Sequence, residues 1–453
     1  MEFPNMSNSG TTSKAVRFAV VGTGGRAGMF IHPLVGKYHK EGELVGICDT
    51  NIGRLEFWND TIEKDYKHAK VPTYLAPDFD KMIAETKPDV VIVTTVDAYH
   101  DTYIIRAMEL GCDAITEKPM TTDDEKCRNV LDAVKRTGRK LRVTFNYRWG
   151  PGPSLVRKLL AEGTIGEIIH ADMEYMLNTS HGADYFRRWH REKDQSGGLM
   201  VHKSTHHFDL VNWWLDAVPE TVFGFGRLAF YGRENAKKRG IEVKNDHYTG
   251  HDNEGDPFAL ELKLDEHGKS LYLGQDKHDG YRRDRNVFGD NITAEDTMSV
   301  LVKYRTGAVL NYSLNAYLPR EGFHISINGT KGRLEYTEAH ASHIIMGQSD
   351  KELADEMKWE TQVVVHPLFG KAYKVEIPTA EGGHGGGDPL IQEQIFSHNP
   401  PEEKLNRNAG HGQGAASILI GIAANKAFET GLPVNVKDIC PQLGDAKHLS
   451  DLV

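Results

Sequence analysis

Cysteine is scarce. The chain has four in 453 residues (Cys48, Cys112, Cys127 and Cys440), and none forms a CxxC pair. This excludes a disulfide framework and suits reduced thiols in a cytoplasmic protein. Long apolar runs are also missing, so no membrane span is expected. There is no basic excess: 54 Lys and Arg face 64 Asp and Glu, a formal charge of −10. With no helix-turn-helix signal either, nucleic acid is excluded as the main partner. No internal repeat is evident. The opening, Met1 to Lys14, lacks the basic-then-apolar layout of a secretory signal and reads as a disordered tail over residues 1–14. What remains is a globular composition, 39% hydrophobic and 26% charged, on a length that implies two or three domains.

Short apolar runs and helical stretches alternate from residue 15 to 146. Val16–Val21, Glu43–Cys48, Asp89–Thr95, Asp113–Glu117 and Lys140–Asn146 read as buried strands. Arg54–His68, His100–Leu110 and Asp123–Thr137 read as helices between them. This alternation predicts a parallel, doubly wound α/β sheet of the Rossmann type, with ligands at the carboxyl ends of its strands. Gly22, Asp49, Thr95 and Lys118 all follow strands, on that shared edge.

Residues 147–453 have another texture. Pro151 to Pro153 break the chain, and a short helix runs to Glu162. Alternating stretches at Glu167–Leu177, Leu260–Leu264, Ser299–Tyr304, Ala308–Leu314 and His324–Asn328 predict an α+β domain with a mainly antiparallel open sheet. Lys237–Gly255 reads as a loop or insertion, and Ala415–Thr430 as a late helix stopped by Gly431 and Pro433.

The first strand runs into Gly22-Thr23-Gly24-Gly25-Arg26-Ala27-Gly28, a GxGxxA pattern. Gly22 permits the tight turn, Gly24 and its neighbours Gly25 and Arg26 bring backbone close to a pyrophosphate, and Ala27 keeps the next helix against the sheet. The helix N-terminus adds partial positive charge for the phosphates. Asp49 ends the next strand, where a carboxylate binds ribose hydroxyls and repels a 2′-phosphate. NAD is therefore expected over NADP, with nearby Arg54 softening that preference.

Glu117-Lys118-Pro119 ends another strand on the same edge. Glycine loop, strand-end Asp49 and EKP, in that order, resemble the Gfo/Idh/MocA oxidoreductases over nearly the whole chain from Ala15. The resemblance extends to Gly197-Gly198 followed by His202-Lys203-Ser204-Thr205-His206 and Asp209. It places His206 on the family's catalytic histidine, and His202 and Ser204 where Asp and Gly are common. It implies a nicotinamide enzyme acting on a sugar or polyol, with Lys118 binding the reacting oxygen and His206 as acid/base. Thr95, His100 and Glu117 would border the cofactor, and Asn146, Tyr147 and Arg148 the substrate or nicotinamide, Tyr147 as a possible extra acid or base. A homodimer or homotetramer is also implied. Residues 202 and 206 share one helix face. No metal is expected, because Lys203 stands where a zinc peptidase carries Glu.

Residues 181–191, HGADYFRRWHR, are dense in arginine and aromatics. Arg188 and Trp189 are candidate substrate contacts with Lys203, suited to a sugar face and an anionic group, while Arg187, Arg188 and Arg191 are equally open to structural salt bridges. Residues 383–388, GHGGGD, form an expected loop with His384 bordering the site. A branch of the family cleaves glycosides by transient C3 oxidation, elimination, water addition and re-reduction. That route needs a second acid/base pair, for which His202, Lys203, Tyr147, His181 and His384 are the candidates.

Overall fold

The computed structural model describes residues 14–264, 266–341, 359–379 and 383–452. Apart from Lys14, the expected tail lies outside the described residues.

The first sheet has the order β15-β6-β5-β4-β1-β2-β3. Its strands are β1 (Val16–Val21), β2 (Gly42–Asp49), β3 (Thr73–Leu75), β4 (Val90–Val93), β5 (Asp113–Thr116), β6 (Leu141–Val143) and, from far downstream, β15 (Ala409–Gly410). β1 to β6 are parallel. The apolar runs are buried on both faces, as crossover helices require. Local chemistry sets the helix ends. Asn51 caps the helix Ile52–Tyr66 by accepting from the Gly53 amide. Asp123 caps Asp124–Thr137, which Gly138 ends at φ +67°. Strand order reverses between β1 and β4, and that crevice is where open α/β sheets bind ligands.

The second sheet has the order β14-β13-β12-β11-β7-β10-β9-β8-β16. It comprises β7 (Ile168–Asn178), β8 (Pro219–Arg227), β9 (Thr297–Tyr304), β10 (Val309–Leu318), β11 (Glu321–Gly329), β12 (Gly332–Ala341), β13 (Gln362–Pro367), β14 (Tyr373–Val375) and β16 (Val434–Asn435). β7 and β10 pair in parallel, and the other pairings are antiparallel. β9 alternates buried and exposed along its length, as a strand covered on one face does. The helices Thr205–Leu215 and His411–Thr430 are almost wholly buried there, and the latter packs on β8.

The expected fold class holds, with local corrections. Leu260–Leu264 is not a strand: Leu262–Leu264 makes one turn of 3₁₀ helix. The GHGGGD loop is the start of the helix Gly383–Phe396. The insertion is longer and more ordered than its composition implies. It holds short helices at Arg233–Lys238, Glu266–Leu271 and Asp276–Asp279, and returns to the sheet at Thr297.

Candidate active site

A cleft of about 1230 Å³ opens along the carboxyl edge of the first sheet. This exceeds the roughly 300–1,000 Å³ of a single small-molecule pocket and suits two ligands side by side.

One end is built by the glycine loop. Gly22 sits at φ +86°, and a Cβ there would lie 2.5 Å from the Thr95 amide nitrogen, so only glycine lets β1 and β4 close up. Ala27 is buried beneath the loop. Asp49 accepts from the Thr23 amide (2.5 Å) and hydroxyl (2.9 Å), fixing its carboxylate beside the loop. Arg26 reaches across to Glu117 (2.8 Å), which also accepts from Thr144. Glu117 thus ties the loop to the EKP turn. His100 lines the cleft but turns its ring nitrogens to the carbonyls of Pro119 (2.8 Å) and Thr95 (3.2 Å). Open glycine backbone, a strand-end carboxylate and a following helix fit a dinucleotide.

The insertion closes over this end. The Gly25 amide donates to the Tyr272 hydroxyl at 3.1 Å. Asn51 donates to the Gln275 carbonyl at 3.0 Å. Arg54 bridges Asp49 (3.4 Å) and Asp279 (2.8 Å), with the Tyr272 and Tyr281 rings nearby. No sequence signal joins residues more than 200 apart, and these contacts went unread.

At the other end Lys118 donates to the His202 carbonyl at 3.2 Å. Burial lowers its pKa to about 8, against the opposing pull of Asp97 and Glu117. His202 Nδ1 lies 2.5 Å from Asp97 Oδ2. Burial pushes the carboxylic acid up and the imidazole down, so the two hold one proton between them. Asp97 thus supplies a carboxylate beside position 202, where the family commonly has one in sequence. His206 stacks on Tyr147 with ring centroids 4.4 Å apart. Trp189 stacks on His190 and meets His202 edge-on. Lys203 is buried, its ammonium 4.9 Å from the Tyr175 ring centre, and desolvation lowers it to about 8. Arg188 pairs with Asp184 at 3.0 Å and faces the cleft. Lys118, Tyr147, Arg188, Trp189, His202, Lys203 and His206 therefore converge, although they come from both domains.

One expected contact does not join them. Arg148 is a correction. It is fully buried away from the cleft, donating to both oxygens of Asp209 (2.7 and 2.6 Å) and to Gln413 (2.7 Å). The His384 side chain, also expected to border the site, lies outside the described residues. Gly387 packs on the backbone of Asn146–Gly150, and Asp388 accepts from Asn146 at 2.8 Å. Arg187 and Arg191 brace the insertion through the carbonyls of Phe258 and Asn286.

A dinucleotide-binding edge joined to a polar pocket under a second, open-sheet domain is the architecture of an oxidoreductase with an NAD-binding Rossmann fold. The sequence places it further. Residues 16–145 match "Oxidoreductase family, NAD-binding Rossmann fold" and residues 157–436 match "Oxidoreductase family, C-terminal alpha/beta domain". The chain belongs to the Gfo/Idh/MocA family. It is 35% identical to oxidoreductase YteT of Bacillus subtilis over 425 residues, 91% of this chain and 95% of that protein. D-glucoside 3-dehydrogenase of Escherichia coli is 28% identical over 201 residues, 44% of this chain and 54% of that one. A glycosyl hydrolase family 109 protein of Shewanella baltica is 28% identical over 190 residues, 40% of each. Among solved structures, aldose-aldose oxidoreductase from Caulobacter crescentus shares the fold at TM-score 0.60 and 16% identity, covering 93% of this chain and 99% of that one. The WlbA dehydrogenase from Chromobacterium violaceum, solved with NADH and UDP-GlcNAcA, does so at 0.59 and 19%, covering 94% and 97%.

Proposed function

We propose that this protein uses NAD to oxidise a secondary alcohol of a sugar, glycoside or polyol. The observation that carries this reading is that Lys118 and His206 line the same cleft as the glycine loop Gly22–Arg26. The cofactor accepts hydride when bound. His206 takes the hydroxyl proton, and Lys118 hydrogen-bonds the reacting oxygen and offsets its growing negative charge. Stacking on Tyr147 orients the His206 ring. The Asp97–His202 pair holds the strip of backbone that anchors Lys118. NAD rather than NADP is favoured because Asp49 and Asp279 both face Arg54, leaving that cation committed and the ribose end anionic. Lys203 and Arg188 favour a substrate with a carboxylate or similar anion. The exposed Ile169, Phe225 and Leu301 on β7, β8 and β9 favour a homo-oligomer paired through the open sheet face, which light scattering would test.

A second reading is redox-neutral glycoside cleavage, favoured by the family 109 relative and by acid/base groups beyond those a dehydrogenase needs. Incubation with NAD and a panel of free sugars, nitrophenyl glycosides and glycuronides separates the two. Stoichiometric NADH from a free sugar supports the dehydrogenase. Aglycone release without NADH accumulation supports the glycosidase. His206→Ala is expected to cut turnover by ~10²–10⁴-fold, and undiminished turnover would remove His206 from the chemistry.

A further inference from the structure

Across the cleft from Lys118 lies a chain of groups that hydride transfer does not use. Glu321, at the start of β11, accepts from His181 Nδ1 at 2.8 Å and from the Tyr175 hydroxyl at 3.1 Å. With Nδ1 donating, His181 Nε2 carries the lone pair, and the Tyr185 hydroxyl stands 3.1 Å from it. Carboxylate, imidazole and hydroxyl are thus aligned in series. Two separate segments build this line: β11 gives the carboxylate, and the helix Thr179–Arg187 gives the other two, one turn apart. Asn178 fixes that helix by accepting from the amides of Ser180 and His181.

The line points into the site. His181 and Tyr185 line the cleft, whereas Glu321 stands behind them. The Tyr185 ring lies 5.4 Å from that of His202, whose carbonyl holds Lys118. Glu321 is held ionised: burial opposes this, but the hydrogen bond from His181, the nearby His340 ring and the Lys203 charge outweigh it. His181 is kept neutral by burial.

We propose that Tyr185, His181 and Glu321 form a second proton relay, which removes and returns the proton on the carbon next to the one oxidised. This rests on the oxidoreductase reading, because only an adjoining carbonyl makes that proton acidic, and the nicotinamide is the oxidant that creates it. In the step, the carbon–hydrogen bond breaks and its electron pair forms an enolate whose oxygen is held by Lys118. The proton passes to the Tyr185 oxygen as the phenolic proton passes to His181 Nε2. Glu321 acts as a positioning residue, holding the imidazole in the accepting tautomer. Reversal returns a proton that has exchanged with water.

The test is hydrogen exchange in D₂O. The protein with NAD is incubated with methyl glucoside, methyl galactoside and the corresponding glycuronides. Recovered sugars are read by mass spectrometry and NMR, and hydride transfer is followed separately at the nicotinamide absorbance. The expected result is deuterium at the carbon adjoining the oxidised one. In Tyr185→Phe and His181→Asn this exchange falls ~100-fold or more while hydride transfer falls by less than ~10-fold, the scale of one lost acid/base group. Glu321→Gln lowers exchange and alters its pH profile, a change that loss of packing alone does not produce. Hydride transfer without exchange in the parent protein, or exchange surviving both variants, overturns the relay. Absence of hydride transfer with every sugar overturns instead the reading on which it rests.

Discussion

Asp209 with Arg148 and Asp97 with His202 are two buried pairs of a carboxyl and a basic side chain, and they differ in kind. Asp209 and Arg148 form a double hydrogen bond with side chains 1% and 0% exposed. Asp97 and His202 form a single one, at the wall of the cleft. A guanidinium does not give up its proton, so the first pair is fixed in charge and serves as a clamp. It joins the turn at Asn146–Trp149, where the chain leaves the first sheet, to the helix that carries His206. An imidazole does give up its proton, so the second pair changes charge without changing place. Similar burial thus yields rigidity in one case and a responsive site in the other.

The largest expected effect breaks the clamp. Arg148→Met strands a charge at Asp209 and should cost about 3–5 kcal/mol of stability, read from denaturant unfolding. Adding Asp209→Leu should restore part of it. If Arg148→Met instead leaves stability intact but weakens sugar binding, the pair is not a clamp.

Asp97→Asn tests the other side of the comparison. It keeps the shape and removes the carboxyl that shares a proton with His202, so stability should change little while turnover falls by about tenfold, or ~1.4 kcal/mol in barrier. Asp97 raises the Lys118 pKa, so its loss should move the Lys118 titration to lower pH. In the parent protein, activity that needs the Lys118 ammonium should decline as pH rises through about 8. Lys203 also lies near 8 and its charge lowers Lys118, so Lys203→Met should keep that decline but move it to higher pH. The stability effect has the opposite sense. Folded Lys118 loses its proton near 8 and the unfolded lysine near its ordinary value of 10.5, so the folding penalty is full below 8 and fades above it. Lys118→Met should therefore stabilise the protein most at neutral pH.

The smallest effect is at the far end of the cleft. Asp279→Asn removes a partner of Arg54 and should raise the NAD dissociation constant a few-fold, ~0.5–1 kcal/mol, in calorimetry. Unchanged affinity would mean that the insertion merely rests there.

The first domain was legible because parallel strands buried on both faces write themselves as apolar runs with ligand groups at their ends. β3 escaped notice because it is a three-residue edge strand with no buried position. Leu260–Leu264 misled because its alternation pads an insertion rather than a sheet. Among site groups, Lys118 and His206 were legible from motif and position. Asp97, Tyr185 and Glu321 were not, since each gains its meaning from a partner at least four residues and up to 140 away. Arg148 occupied the right strand edge, but a neighbouring helix offered its guanidinium a better anion.

The strap at Tyr272–Asp279 belongs to the domain that walls the substrate end of the cleft, yet it rests on the dinucleotide end. Any ligand that steadies one domain against the other must therefore alter how long the first ligand stays. The influence is reciprocal, because binding free energies around a closed cycle sum to zero. Substrate affinity and cofactor affinity become two readings of one coupling energy.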